Sequence, residues 1–524
     1  MIYGSACEAD IPTIDLPGFV LAHAKSRGDK PALIDGRSGR ALSYAELDLL
    51  VRSLAAGLAA HGFAQGDTFC ICLPNVPEYA VAFHGVLAAG GRCTTANPLY
   101  TPRELARQLA ETDAQMLLTA PPFVDVAREA AAQAGCQLCV IGEAQGAISF
   151  SALLGDPKAA PAVAIDPATD IAVILYSGGT TGLPKGVLLS HRNLIATMVL
   201  AQAVLAVTSD DVLLAALPFF HVYGLVVILN FGLLAGATVV AMPRFAYGDF
   251  VDLLECYRVT RGYVVPPIAL ALAKDPAVEG RDLSALRHML SAAAPLAPEV
   301  AQACARRIGC PVTEGFGMTE MSAITHLVPP FGATRKPGSV GPAIPGVECR
   351  LVDPHTGEDA RPGEPGELWM RGPKVMRGYL NNAPATAAMI DQDGWLHSGD
   401  IAVVDEQGWF TIVGRIKEMI KYKGYQVAPA ELEAILITHP QVADCAVIGV
   451  ADEEAGELPK AFVVPTGAEL DPGSVIRFVT EQVAPYKRIR AVDIVDEIPK
   501  SPSGRILRRV LEERERVRTA SGHA

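Results

Sequence analysis

Apolar residues recur along the first four hundred positions in two rhythms. In "SYAELDLLVRSLAAGLAAHG" (43–62) they fall three and four apart, as on one face of a helix. Between such stretches lie short, nearly unbroken apolar runs: "DTFCICLP" (67–74), "QMLLTA" (115–120) and "QLCVIG" (137–142). Runs of that kind are strands buried on both faces. The alternation predicts an α/β protein whose largely parallel sheets are flanked by helices. No repeat of solenoid period is present. From about residue 334 the texture changes to "TRKPGSVGPAIPGVECRLVDPHTGEDARPGEPGELWMRG", where prolines, glycines and short alternating runs predict a β subdomain with tight turns. After "GRIKEMIKYKGYQ" (414–426) come a helical pattern, "APAELEAILITHP", and strand–helix alternation to the end. We place a boundary at Lys417, giving a large domain over 1–416 and a small α+β domain over 417–524.

One apolar stretch, "VYGLVVILNFGLLAGATVVAM" (222–242), has the length of a membrane span. Asn230, the "GLLAGA" break and the β-branched "ATVVAM" instead predict a buried helix, a turn and a buried strand.

The bulk numbers narrow the function. A chain of 524 residues exceeds one ordinary core. Its formal charge of −13 argues against broad nucleic-acid binding and against docking on anionic membranes, so any anionic ligand needs local cations. The eleven cysteines form no disulfide or zinc spacing, and the Cys136/Cys139 CxxC falls in a strand pattern, where packing is its use. "MIYGSACEADIPTIDLPGFV" has no basic region followed by an apolar core, and a cytoplasmic protein is expected.

Four stretches carry chemistry. In "ILYSGGTTGLPKGVLLSH" (174–191) a strand runs into Ser177, Gly178, Gly179, Thr180, Thr181 and Gly182, followed by Lys185. Glycines there let backbone N–H groups converge on phosphate oxygens, hydroxyls add donors and Lys185 adds charge. Leu183 and Pro184 stand where a Walker loop needs its last glycine. On these residues alone a phosphate cradle and a plain turn both remain open. "EGFGMTEMS" (314–322), following a strand-like run, offers Phe316 to a purine, Thr319 to a phosphate and Glu320 to Mg²⁺; a turn with a solvated glutamate would also explain it. "GWLHSGDIAVVDEQGWFTIVGR" sets Asp400 after a Ser-Gly turn and Arg415 at a hairpin end, where a carboxylate suits ribose hydroxyls or an Asx turn. "IPKSPSGRILRR" (498–509) is a basic loop, and such loops are usually solvated surface.

Taken in order, "YSGGTTGLPKGV", "GFGMTE", "SGD", "GRIKEMIKYKGYQVAPAELE" and "IPKSPSGRILRR" resemble the acyl-adenylating superfamily of acyl-CoA synthetases, luciferases and nonribosomal adenylation domains. "LPFFHVYGL", "VVPPIALALAKDP" and "SAAAPLAPEV" look most like its 4-coumarate:CoA ligases. The resemblance implies ATP, Mg²⁺ and CoA, and two steps: carboxylate and ATP give acyl-AMP, then CoA gives the thioester. It implies that Ser177 to Lys185 hold pyrophosphate, Thr319 the α-phosphate and Glu320 the Mg²⁺, with Asp400 and Arg415 on the ribose. Ala293, Ala294, Pro295, Gly315, Phe316 and Gly317 complete the nucleotide site. Lys417 becomes the hinge of a mobile C-terminal domain, Lys421 and Gln426 belong to the reaction centre, and Lys423 and Gly424 lie beside CoA. His221, otherwise a core histidine, gates the acyl site. The acyl pocket takes Val222, Tyr223, Val227, Leu290, Ala293, Gly315, Ala323 and Ile324.

Arg505 departs from the pattern, which ends in lysine. Arginine keeps the charge but is bulkier, with a different donor geometry. Three readings stand: a working substitute with slower adenylation, a deliberate change or escape from lysine acylation, and a homologue that only binds acyl-AMP or CoA esters. We favour an impaired first step. Gly178 in place of a serine and Ala292 in place of a glycine are smaller departures, the latter narrowing backbone freedom. The mostly apolar pocket has no cation for a second carboxylate, so a cinnamate or 4-coumarate is expected. A medium-chain fatty acid fits nearly as well, and a carrier-protein thiol could replace CoA. The chain leaves monomer and homodimer open.

Overall fold

The computed structural model describes residues 1–177, 184–331, 335–423, 425–452, 454–467, 470–501 and 504–520. Two eight-stranded sheets make the bulk of a large N-terminal domain. In the first, Ile171–Ser177, Arg92–Thr95, Thr68–Cys72, Ala114–Thr119, Gln137–Val140 and Ile148–Ser149 run parallel. Lys185–Ser190 folds back antiparallel on Ile171–Ser177, and Gly378–Tyr379 closes that edge. The second sheet is parallel from Val312–Met318 through His288–Ser291, Arg261–Val264, Val212–Ala215 and Thr238–Ala241 to Pro31–Asp35. Its antiparallel edges are Ala323–Leu327 and Ala41–Ser43. This is the doubly covered α/β architecture that the hydrophobic runs predict.

Local chemistry explains the elements. Helix Tyr44–Ala60 opens on a capping box: Ser43 Oγ accepts from Glu46 N (3.2 Å) while the Glu46 carboxylate accepts from Ser43 N (2.8 Å). Leu47, Val51, Leu54 and Leu58 form its buried stripe. The apolar stretch at 222–242 is a π-helix, Tyr223–Asn230, continuing as helix Phe231–Ala235, a left-handed Gly236 (φ +80°) and strand Thr238–Ala241. Among the described residues no helix is long and apolar enough to cross a membrane.

The β subdomain is a five-stranded antiparallel sheet, Tyr3–Gly4, Glu348–Val352, Gly366–Arg371, Leu396–Val404 and Phe410–Arg415. Its outer strand comes from the far end of the sequence, too short a run for periodicity to show. A turn, Ile416–Glu418, leads into the small C-terminal domain. There Tyr425–Val427, Ile420–Tyr422, Gly456–Pro465 and Val442–Asp452 pair antiparallel, with Ala491–Ile494 parallel to Gly456–Pro465. Leu432, Leu436, Val447, Val463, Val475 and Val479 give this domain a core of its own.

Two local expectations are corrected. "EGFGMTEMS" does not follow a strand but forms one, Val312–Met318, ending in the turn Thr319–Met321. "SGD" is not a turn either. It lies inside strand Leu396–Val404, because cross-strand bonding continues on both sides of a left-handed Gly399.

Candidate active site

Strand Ile171–Ser177 delivers Ser177 to its exit, and the return strand sets Lys185 opposite it. Gly178, Gly179, Thr180, Thr181 and Gly182 lie outside the described residues, as does Gly424. Ser177 Oγ donates to Glu320 Oε1 at 2.8 Å, and the Tyr379 hydroxyl donates to the same oxygen at 2.9 Å. Lys185 Nζ stands 4.4 Å from the Tyr379 ring centroid. Burial and Glu320 push the Tyr379 phenol pKa up, keeping it a donor. Three stretches distant in sequence thus meet at one buried carboxylate. Both bonds fall on Oε1, leaving Oε2 for a hard cation. No cluster of three or more metal-ligating residues occurs among the described residues.

Thr319 and Glu320 sit on a tightly braced turn. Ser322 (φ +54°) and Ala323 (φ +92°) are left-handed, a strain that persists only where surroundings impose it. Met376 N donates to Glu320 O (2.8 Å), Ser322 Oγ to Lys374 O (2.8 Å) and Thr197 Oγ1 to Ser322 O (3.0 Å). A Cβ on Gly317 would lie 1.9 Å from the Ala323 carbonyl oxygen, so only glycine fits there. Phe316 is half-buried beside His326, ring centroids 5.8 Å apart. Ala293 is left-handed as well (φ +73°), whereas Ala292 is not. The loss of glycine at 292 therefore carries no backbone strain, and the strained alanine is its neighbour, ahead of Ala294 and Pro295.

On the facing strands, Asp400 pairs with Arg415, whose Nε lies 2.9 Å from Asp400 Oδ1. Asp400 Oδ2 is buried without a partner among the described residues. Burial raises the Asp400 pKa to about 6, opposed by Arg415 and Arg505. Arg505 thus reaches this corner from the C-terminal loop, where its Nη2 also pairs with Glu418 Oε1 (2.7 Å). Gly504 (φ +77°) seats the loop so closely that a Cβ would lie 2.9 Å from Val265 Cγ2. Lys500 is engaged by Asp444 and does not stand in for Arg505.

The remaining C-terminal candidates are elsewhere. Lys421 and Gln426 face each other across a hairpin, both exposed, with Gln426 Nε2 3.3 Å from His355 Nε2. Lys417 is exposed on its turn, and Lys423 pairs with Glu454. Of these cations and polar groups, Arg505 is the one within electrostatic reach of Asp400, and Lys421 and Gln426 are exposed on their hairpin.

The π-helix and the strands of the second sheet beside it carry an apolar wall. Val222, Val227, Leu290, Ala323 and Ile324 are buried, and Gly315 faces Leu290 and Leu327. The Tyr223 hydroxyl donates to Leu290 O (3.1 Å), so toward a ligand it can only accept. His221 Nδ1 accepts from Tyr223 N (3.3 Å), and burial lowers its pKa to about 4, so the ring is neutral. Motif reading missed Tyr379, Glu418 and Glu314. Glu314 pairs with Ser291, and burial raises its pKa to about 7 although backbone N–H groups of Leu296 and Gly338 oppose it. Ser291 Oγ is buried with no partner among the described residues.

The AMP-binding enzyme family matches residues 20–380, and the AMP-binding enzyme C-terminal domain matches 431–505. The chain belongs to the AMP-binding enzyme family. It is 42% identical over 531 residues to 4-coumarate–CoA ligase 1 of Petroselinum crispum, covering 98% of this chain and 96% of that protein. With 4-coumarate–CoA ligase 5 of Oryza sativa subsp. japonica it shares 42% identity, covering 97% and 95%. Among solved AMP-binding enzymes, the anthranilate CoA ligase AuaEII in complex with anthranoyl-AMP superposes with TM-score 0.89 at 26% identity, covering 98% of this chain and 99% of that one. ATP-bound MatB from Rhodopseudomonas palustris superposes with TM-score 0.86 at 31% identity, covering 96% and 99%. This AMP-binding enzyme is an AMP-forming, ATP-dependent acid:CoA ligase.

Proposed function

We propose that the enzyme joins CoA to a cinnamate- or 4-coumarate-type acid through an acyl-adenylate, with Arg505 slowing the first half-reaction. The observation that carries the two-step reading is the pairing of Asp400 with Arg415, with Arg505 within electrostatic reach, because Asp400 Oδ2, buried and without a partner among the described residues, can accept from a donor such as a ribose hydroxyl. Relatives named 4-coumarate–CoA ligases support the acid. So does the wall: Tyr223 can accept from a ring hydroxyl, and none of Val222, Val227, Leu290, Ala323 or Ile324 carries a charge to pair a second carboxylate.

In the first step an oxygen of the acid attacks the α-phosphorus, the bond to the bridging oxygen breaks, and pyrophosphate leaves. Lys185 holds the departing end together with Ser177, whose hydroxyl turns from Glu320 to the phosphate, Thr319 donates to the α-phosphate, and Arg505 offsets charge shared by acid and phosphate. Mg²⁺, held by Glu320, would neutralise phosphate charge. In the second step the CoA sulfur attacks the acyl carbon, the mixed anhydride C–O bond breaks, AMP departs and the thiol proton is lost to solvent or a base. We assign the hinge to Lys417, about which the small domain swings to present Lys421, Lys423, Gly424 and Gln426. Neutral His221 stands at the junction of acid and thiol paths.

The test is thioester formation from ATP, Mg²⁺, CoA and 4-coumarate, beside Arg505→Lys, with hexanoate for comparison. The expected result is faster adenylation in the variant, on the order of 10- to 100-fold, with equal thioester formation from preformed coumaroyl-AMP. Equal adenylation rates would remove the impairment. A preference for hexanoate would replace the aryl acid with a medium-chain fatty acid, and no thioester from any acid or adenylate would remove the ligase reading.

A further inference from the structure

Helix Pro77–Ala88 lies beside the segment leading to the acyl wall, with the Tyr79 and Phe219 rings edge to face at 5.4 Å between centroids. Just before it, Asn75 Nδ2 donates to Ala215 O (2.9 Å) and Leu217 O (2.8 Å), and its Oδ1 accepts from Phe219 N (2.8 Å). These bonds fix the strand exit leading to His221, Val222 and Tyr223. Two turns along the helix, His84 is 0% exposed, and neither ring nitrogen has a partner among the described residues. The Asn230 side chain is a loose hydrogen-bonding neighbour, and it opposes the burial that lowers the His84 pKa.

Asn230 ends the π-helix Tyr223–Asn230. It is 1% exposed, its Oδ1 is unpartnered among the described residues, and its Nδ2 donates to Leu225 O at 2.8 Å. A π-helix closes its rings on the carbonyl five residues back, and it is rare outside functional sites. Leu225 is five residues before Asn230, so the side-chain amide repeats the span that defines the π form and braces its last ring. The Tyr223 hydroxyl, bonded to Leu290 O, anchors the first. Residues 223–230 are all buried, where leucine would fill the Asn230 site without leaving a carbonyl oxygen unsatisfied. Asparagine there is explained by what it does to the backbone, not by packing.

We propose that Asn230 is a specificity-determining residue: by bracing Tyr223–Asn230 in its π form, with His84 as its polar neighbour, it fixes where Tyr223 and Val227 meet the acid. The choice of acids rests on the proposed function; the structural part does not. The experiment compares wild type with Asn230→Leu and with the pair variant His84→Leu/Asn230→Leu. For each, kcat/KM is measured with 4-coumarate, cinnamate and hexanoate, melting temperatures are recorded, and the pair variant is crystallised. The expected result is at least a tenfold change in the ratio between acids in both variants. The pair variant should also regain the melting temperature lost by the single one and show α-helical bonding at 223–230. Wild-type acid ratios, within twofold, in a folded pair variant would overturn the proposal, and so would a crystal structure that keeps the π form. If wild type forms no thioester from any acid, the aryl-acid reading falls by itself. The crystal structure then decides: α-helical bonding supports the brace and a retained π-helix overturns it.

Discussion

On the proposed reading of Asp400 as the ribose acceptor, acidity and nucleotide binding are linked. With its pKa raised to about 6, the folded state holds this proton more tightly than the unfolded chain. The linked stabilisation is therefore full below the ordinary value of 3.8 and is lost as pH rises through about 6. Binding runs the other way, because a protonated carboxyl loses acceptor capacity for ribose hydroxyls. KM for ATP should rise as pH falls through 6, and in Asp400→Asn it should be higher throughout and flat over that range. Tyr379→Phe removes one of two donors to Glu320, worth about 0.5–1.5 kcal/mol, so pyrophosphate exchange should slow by about two- to tenfold in a folded enzyme. Ser177, Glu320, Asp400 and Arg415 were legible because each stands in a motif with unusual neighbours. Tyr379 was not: it reaches Glu320 only through the pairing of Gly378–Tyr379 with Leu188 and Val187, which no local spacing announces.

Elements divide by how their apolar positions are arranged. Helix Tyr44–Ala60 has a capped start and a stripe, so its sequence predicts it closely. Ser43→Ala should lower stability by about 1 kcal/mol, read as a lower urea midpoint with an unchanged slope. The π-helix was legible only as something buried, since a segment apolar all round has no face from which to count a period. The turn after Met318 shows the same limit. Its left-handed Ser322 and Ala323 are held by bonds from Thr197 and to Lys374, residues more than fifty positions away in the case of Lys374.

At the scale of the whole molecule, the division into a large α/β domain and a small C-terminal one was legible, and the packing between them was not. The sequence contains Arg505, Lys421 and Gln426 alike, and only three-dimensional packing shows which of them faces Asp400. Gly504 makes that packing testable. Gly504→Ala adds a Cβ 2.9 Å from Val265 Cγ2 at a left-handed position, so loop and seat must part. Single-turnover adenylation should fall by on the order of tenfold or more, while thioester formation from preformed adenylate stays within about twofold. Equal loss in both half-reactions would show that the loop seat serves stability and not the first step.

The pairing of Arg505 with Glu418 reaches further than its one ion pair. Glu418 also meets Arg508 (3.2 Å), and Arg508 meets Glu433 (2.6 Å), so the cation at the nucleotide corner belongs to a chain of alternating charges beside the turn at 416–418. Before any nucleotide arrives, that cation already has a resident counter-ion. On the proposed reading, an anion at this corner shares the Arg505 guanidinium with Glu418, which engages only its Nη2. Glu418 is the chain neighbour of Lys417, so on the proposed reading a nucleotide that draws Arg505 away from it would act directly beside the hinge.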